Sequence, residues 1–329
     1  GLLPSKVGTV FINYADRKYI SMYQLLKNEG YTVVSMHANV GNFWNRNIMY
    51  KQLGYDYFYD KDDYEIDETI GFGLSDRSFV IQSVQKLKEL KETKGKFYAT
   101  MITLSNHTPF EDVDKYGEYD VSMTVDGVKY DYMENTKLGN YFKSVHYADQ
   151  HIGLLIEELE KEDMLDDTVI IIYGDHDARL GQKQSEYMYN YDPINDRELQ
   201  SWEPGYVEFN DYDYELSKKV PFIIWTKDMQ EGKEIDIPLA DVPSGPRLAV
   251  GGCRLVVVAV RDNGETGQRT VGSGVSIDKV VSHRKEFVVG QFLPLVVERR
   301  LSRCRHAECR QNGQGEDGKQ LLLKHQTQN

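Results

Sequence analysis

Thr168-Val169-Ile170-Ile171-Ile172-Tyr173-Gly174-Asp175-His176-Asp177 joins six β-branched or aromatic residues to a glycine and three polar side chains able to bind a cation. Near-continuous apolarity over such a length predicts a strand buried on both faces, as in a sheet covered by helices on each side. Similar runs occur at 8–13 (Gly-Thr-Val-Phe-Ile-Asn), 31–36 (Tyr-Thr-Val-Val-Ser-Met), 97–104 (Phe-Tyr-Ala-Thr-Met-Ile-Thr-Leu) and 220–225 (Val-Pro-Phe-Ile-Ile-Trp). Between them Tyr19, Met22, Tyr23 and Leu26 fall at helical spacing, with Gly30 placed as a C-cap. Ser75 or Asp76 can cap a helix running to about Leu90, and 134–162 reads as a long helix with Phe142, Val145, Leu155 and Leu159 inward. Strands alternating with helices predict an α/β fold: three layers, α/β/α, around a mostly parallel central sheet. The tyrosine-rich stretch 182–218 reads as loop, its rings serving surface and edge packing.

Three polar clusters begin where predicted strands stop. His37-Ala38-Asn39 follows the second strand, Ser105-Asn106-His107 the third, and Gly174-Asp175-His176-Asp177 the fourth. Ligands collect at the carboxyl ends of strands in open α/β sheets, so these clusters should meet at one edge. Asp175 and His176 offer an oxygen and a nitrogen donor to a divalent cation with mixed preference, such as Mn²⁺ or Zn²⁺; the competing reading is a helix cap beside an ordinary histidine. Phe43-Trp44-Asn45-Arg46-Asn47 places an aromatic pair beside a guanidinium suited to phosphate, or else a helix start with Trp44 in the core. His146 and His151 lie on the long helix and read as solvated or core-satisfied rather than catalytic, and Cys304-Arg-His306-Ala-Glu-Cys309 lacks the second ligand pair of a zinc site.

Composition divides the chain near residue 238. All 23 Tyr lie between Tyr14 and Tyr214, while all three Cys (Cys253, Cys304, Cys309) come later. Residues 1–238 hold 20 Lys and 5 Arg against 43 acidic side chains; residues 239–329 hold 4 Lys and 10 Arg against 9. The acidic part is poorly suited to nucleic acid, so no nucleic-acid partner is expected. Any anionic substrate must meet a metal or a local arginine that inverts the field. No apolar run approaches the roughly 18 residues that would span a bilayer.

Four segments together resemble the sulfatase-like catalytic domain of the lipoteichoic acid synthase family, within the alkaline phosphatase superfamily. They are His37-Ala-Asn-Val-Gly-Asn-Phe-Trp-Asn-Arg-Asn-Ile-Met-Tyr50, Gly73-Leu-Ser-Asp-Arg-Ser-Phe79, Ile102-Thr-Leu-Ser-Asn-His-Thr-Pro-Phe110 and Tyr173-Gly-Asp-His-Asp177. The resemblance covers about residues 7–238. It implies an enzyme anchored in the cell membrane by N-terminal helices, whose extracellular domain transfers glycerol phosphate from phosphatidylglycerol to a growing polyglycerolphosphate chain. It implies a threonine nucleophile activated by Mn²⁺ or another divalent cation. Carried onto this sequence, Asp175 and His176 resemble metal ligands, His107 a catalytic group at the transferred phosphate, and His37, Asn39, Phe43, Trp44 and Arg46, with His107, the glycerophosphate pocket.

Two departures accompany the resemblance. Nothing near Thr9 looks like the nucleophile region, so the expectation is a partial domain that starts after it and does not turn over alone. Residues 239–329 look unrelated to the family, as a disordered tail or a frameshift product would. A sulfatase- or phosphodiesterase-type hydrolase and a non-catalytic glycerophosphate-binding domain are the alternative functions.

Overall fold

The fold is taken from a computed structural model, which describes residues 6–218 and 220–232, and the backbone of 254–260. Its strands are β1 Thr32–Met36, β2 Tyr57–Tyr59, β3 Thr69–Ile70, β4 Gly73–Leu74, β5 Phe97–Ile102, β6 Met123–Val125, β7 Val128–Tyr130, β8 Thr168–Gly174, β9 Tyr191–Asp192, β10 Arg197–Glu198, β11 Phe222–Trp225 and β12 Arg254–Val260. Its α-helices are α1 Val10–Asn13, α2 Met22–Asn28, α3 Arg46–Leu53, α4 Asp76–Lys94, α5 Lys137–Lys161, α6 Gln182–Asn190 and α7 Asp211–Ser217. Six strands form the central sheet in the order β11-β8-β12-β5-β1-β2. β2, β1 and β5 pair in parallel, and β12 is antiparallel to both β5 and β8, so β8 runs the same way as β5. β11 is antiparallel to β8.

Period-2 alternation along these strands builds two cores. Val34, Met36, Ala99, Met101, Ile170 and Ile172 face α4 and α5, where Phe79, Val84, Leu87, Leu155 and Leu159 close the larger cluster. Val33, Tyr98, Ile171 and Tyr173 point the other way, against Tyr23, Leu26, Tyr50 and Tyr55 from α2, α3 and the turn after it. The three layers are thus helices α4 and α5, the sheet, and helices α2 and α3.

Most element boundaries follow local chemistry. Ser21 caps α2, its hydroxyl accepting from the Gln24 amide, and Gly30 leaves that helix with φ +81°. Ser75 caps α4 in the same way through the Ser78 amide, and Thr136 caps α5 through Gly139. Gly73 is required by close approach: a Cβ there would lie 2.6 Å from Leu104 Cδ1 and 3.0 Å from the Ala38 carbonyl oxygen, so β4 packs directly over the ends of β1 and β5.

Two sequence-based expectations change. The 8–13 segment, predicted as the first strand, forms the single helical turn α1, with the Ile12 and Asn13 amides donating to the Thr9 carbonyl. Its β-branched composition yields to placement on α3, where Phe11 meets Tyr50 edge-on at 6.0 Å. The 182–218 stretch, predicted as loop, contains α6, the β9–β10 hairpin and α7. Asn210 and Asp213 form a reciprocal capping box that starts α7, while Tyr187 and Tyr132 both pack against Tyr191. In the basic C-terminal part, Arg254–Val260 enters the central sheet as β12. The remainder of 239–329, including Cys304, His306 and Cys309, lies outside the described residues.

Leu159, fully buried between α5 and the sheet, is a direct probe of the larger core. Leu159→Ala should cost about 2–5 kcal/mol of unfolding free energy, measured as a lower urea midpoint with an unchanged slope.

Candidate functional site

β1, β5 and β8 end on the same edge of the sheet, and each hands the chain to one of the polar clusters. His37 follows β1 directly and is 2 % exposed. Its Nδ1–H donates to the carbonyl of Ile102, the last residue of β5, at 2.9 Å, which ties two neighbouring strand ends together. Burial, and then the positive field of Arg46, lowers the His37 pKa from 6.5 to about 3; the Ile102 carbonyl opposes the shift and His107 adds to it. His37 is therefore neutral near pH 7, and with Nδ1 carrying the proton its Nε2 keeps a lone pair.

The other two histidines share this tautomer logic. His107 Nδ1–H donates to the Thr108 carbonyl at 2.6 Å and His176 Nδ1–H to the Asp177 carbonyl at 2.8 Å. Each Nε2 is then the nitrogen available to a ligand, the arrangement found where histidines bind metals through one nitrogen and the backbone through the other. The His107 and His176 rings meet edge-on with centroids 5.5 Å apart. Partial burial, followed by the fields of His176 and Arg179, holds His107 below the ordinary imidazole value against the pull of the Thr108 carbonyl.

Asp175 Oδ1 lies 3.8 Å from His176 Nε2. Two donors with metal bonds of about 2.1 Å can share one ion up to roughly 4.2 Å apart, so this pair fits a divalent cation. Among the described residues no group of three or more His, Cys, Asp or Glu could hold a metal, so an ion at this pair would need further ligands.

Arg46 opens α3, and its guanidinium lies 5.3 Å from the Phe43 ring centre. Trp44 and Asn45 before it both take left-handed φ, 56° and 61°, and the Asn45 amide group holds this turn by donating to the Phe11 carbonyl at 2.9 Å. The result turns the Phe43 and Trp44 rings, in edge contact at 5.3 Å, outward: both are about half exposed. Trp44 as a core residue is corrected accordingly. Asn39 sits at the start of this segment, its side-chain oxygen accepting from the Val40 amide at 2.6 Å.

Two residues not singled out from sequence join the cluster. Phe72, 61 % exposed at the turn of the β3–β4 hairpin, sets its ring edge-on to His107 at 5.1 Å. Its signal was the pair of glycines flanking one large aromatic, Gly71-Phe72-Gly73. Arg179, with φ 51°, adds positive charge felt by His107. His146 and His151 stay outside, stacked on Tyr119 at 4.4 Å and bonded to the Tyr147 carbonyl at 2.7 Å.

The site thus offers arginine charge for an anion, three imidazole lone pairs, and exposed aromatic faces around them. The family model described as Sulfatase matches residues 3–241. Lipoteichoic acid synthase 2 of Bacillus subtilis (strain 168) is 31 % identical over 249 residues, covering 75 % of this chain and 34 % of that protein. Lipoteichoic acid synthase 1 of the same organism is 35 % identical over 174 residues, covering 52 % of this chain and 25 % of that protein. The crystal structure of the lipoteichoic acid synthase LtaP from Listeria monocytogenes matches with a TM-score of 0.52 at 31 % identity, over 69 % of this chain and 51 % of that one. The chain spans about a third or less of the length of these curated relatives.

The His37 pKa gives a test with a definite sign. Because the folded value is depressed, the unfolded chain binds the extra proton, so the contribution is complete above about pH 6.5 and is lost as pH falls towards 3. Between pH 7 and about 4.5 it amounts to roughly 2–3 kcal/mol. Urea unfolding of His37→Gln at the two pH values should show a loss smaller than wild type by that amount.

Proposed function

The chain belongs to the sulfatase family, and from that premise we propose that it forms the phosphate-handling part of a glycerophosphate transferase. The observation that carries this is the meeting, at one sheet edge, of the Arg46 guanidinium with three histidines whose Nδ1–H groups are all bonded to main-chain carbonyls. In this reading Arg46 takes the phosphate oxygens, for which its planar fork is suited. Neutral His37 accepts a hydrogen bond from a glycerol hydroxyl through Nε2, and Asn39 borders the same pocket. Phe43, Trp44 and Phe72 cover the apolar edge of the glycerol unit.

His107, whose pKa burial holds below the ordinary imidazole value, can take or return a proton at a phosphate or leaving-group oxygen. Asp175 and His176 would hold a divalent cation, Mn²⁺ in this proposal, which supplies charge neutralisation for the phosphoryl group when bound. The relatives' names support lipoteichoic acid synthesis as the setting; phosphatidylglycerol as donor, a polyglycerolphosphate chain as acceptor and a domain on the outer face of the membrane are part of this proposal. No helix among the described residues is long and apolar enough to cross a membrane. The division at residue 238, and a nucleophilic threonine from outside the described site, belong to the same proposal.

Glycerol phosphate binding, followed calorimetrically with and without Mn²⁺, tests the pocket in this chain. Arg46→Ala should weaken binding 10- to 100-fold and Arg46→Lys should restore only part of it; equal affinities in all three, or tighter binding of a sulfate ester, would sink the assignment. His176→Ala should weaken Mn²⁺ binding at least tenfold and, in the complete gene product, stop Mn²⁺-dependent release of diacylglycerol from phosphatidylglycerol vesicles. Full activity in that variant would remove the metal pair.

A further inference from the structure

Asp76 is a carboxylate at the first turn of α4, 1 % exposed. Its Oδ1 accepts from the Leu104 and Ser105 amides, both at 2.9 Å, and its own amide donates to Ser105 Oγ at 2.8 Å. Three hydrogen bonds therefore fasten the start of α4 to the segment that leaves β5. That segment closes at once into a tight turn, with the His107 amide donating to the Leu104 carbonyl at 3.0 Å. Asn106, inside the turn, is gripped from α5 by the Ser144 hydroxyl at 2.7 Å. The His107 ring is what the turn delivers to the site.

The second carboxylate oxygen has no hydrogen-bond partner among the described residues. Asp76 lines a cavity of about 10 Å³ with Thr103 and His151 and apolar side chains from α4, α5 and β5, close to the smallest space that admits a water. Burial raises the Asp76 pKa against the pull of the Ser105 and Leu104 amides. A half-satisfied buried carboxylate is a costly way to stabilise a helix start, because a residue such as Ser or Asn caps as well without the charge. The bonds it does make all fall on the turn that carries His107.

We propose that Asp76 is the positioning residue for His107: its carboxylate fixes the Leu104–His107 turn and so sets the imidazole against His176 and the phosphate site. Asp76 acts at a distance, through two backbone amides, and touches no reacting atom. The role rests on the glycerophosphate reading for its purpose but not for its geometry.

The test compares Asp76→Ala and Asp76→Asn in the full chain by proton NMR at one pH, with contacts between the His107 and His176 ring protons and amide exchange followed at Leu104 and Ser105. Asp76→Ala should weaken the His107–His176 ring contacts and speed exchange at both amides at least tenfold, with β8 amides unchanged. Asp76→Asn, which keeps one acceptor oxygen, should lie close to wild type. Glycerol phosphate affinity should fall about tenfold in Asp76→Ala and no further when His107→Ala is added to it. Ser105→Ala, which removes one of the three bonds, is the milder variant should Asp76→Ala not fold, and should weaken the His107–His176 ring contacts by less. Unchanged His107–His176 ring contacts in whichever of these two variants folds, or multiplicative losses in the double variant, overturn the proposal. Absence of glycerol phosphate binding in wild type would instead count against the functional reading, leaving the NMR comparison intact.

Discussion

One hydrogen bond, from His37 Nδ1–H to the Ile102 carbonyl, depends on the parallel pairing of β1 with β5 and in turn fixes the chemistry of the edge where they end. Parallel strands present the same terminus on the same side, so residues distant in sequence arrive together without a dedicated connection. The bond settles which histidine nitrogen bears hydrogen, and burial with the Arg46 field keeps the ring uncharged. A neutral acceptor beside a permanent cation suits a ligand that is anionic at one end and hydroxylated at the other.

Behind that edge the fold repeats a simple device. Each functional side chain sits within a few residues of a strand end, and each is steadied by a main-chain contact rather than by another functional group. His107 and His176 bond to carbonyls one residue on, Asn45 holds the turn before Arg46, and Asp76 grips the amides before Asn106. The three imidazole rings are thus oriented by the backbone, each through its Nδ1.

The parts legible in the sequence were those where local pattern and tertiary demand agree. β1, β5 and β8 are nearly all apolar because both faces are covered, and the clusters at their ends stand out by contrast. The family resemblance then connected Arg46 and Phe43 to those clusters, which spacing alone did not. The 8–13 segment escaped because β-branched residues that look like a strand are held as one helical turn by contacts on α3. α7 escaped because its capping pair, Asn210 and Asp213, was hidden in a run of Tyr and Asp that reads as loop. Phe72 was signalled only by its flanking glycines, and Arg179 and the Asp76 latch by nothing periodic: their roles depend on a hairpin, a left-handed turn and two main-chain amides. Asp76 was visible only as a possible helix cap.

β12 has a consequence for the accuracy of the site. It stands between β5 and β8, so the strands that end near His107 and His176 are two inter-strand spacings apart, about 9.5 Å. Leu255 lies opposite Ile102 on one side and Tyr173 on the other, and this ladder relates the heights of the two strand ends within the sheet. Misalignment along such a ladder cannot be gradual: pairing shifts by whole residues, about 3.4 Å at a time, and a single step would pull apart rings that now meet at 5.5 Å. The edge therefore behaves as a digital joint, either in register and assembled or out of register and without a site.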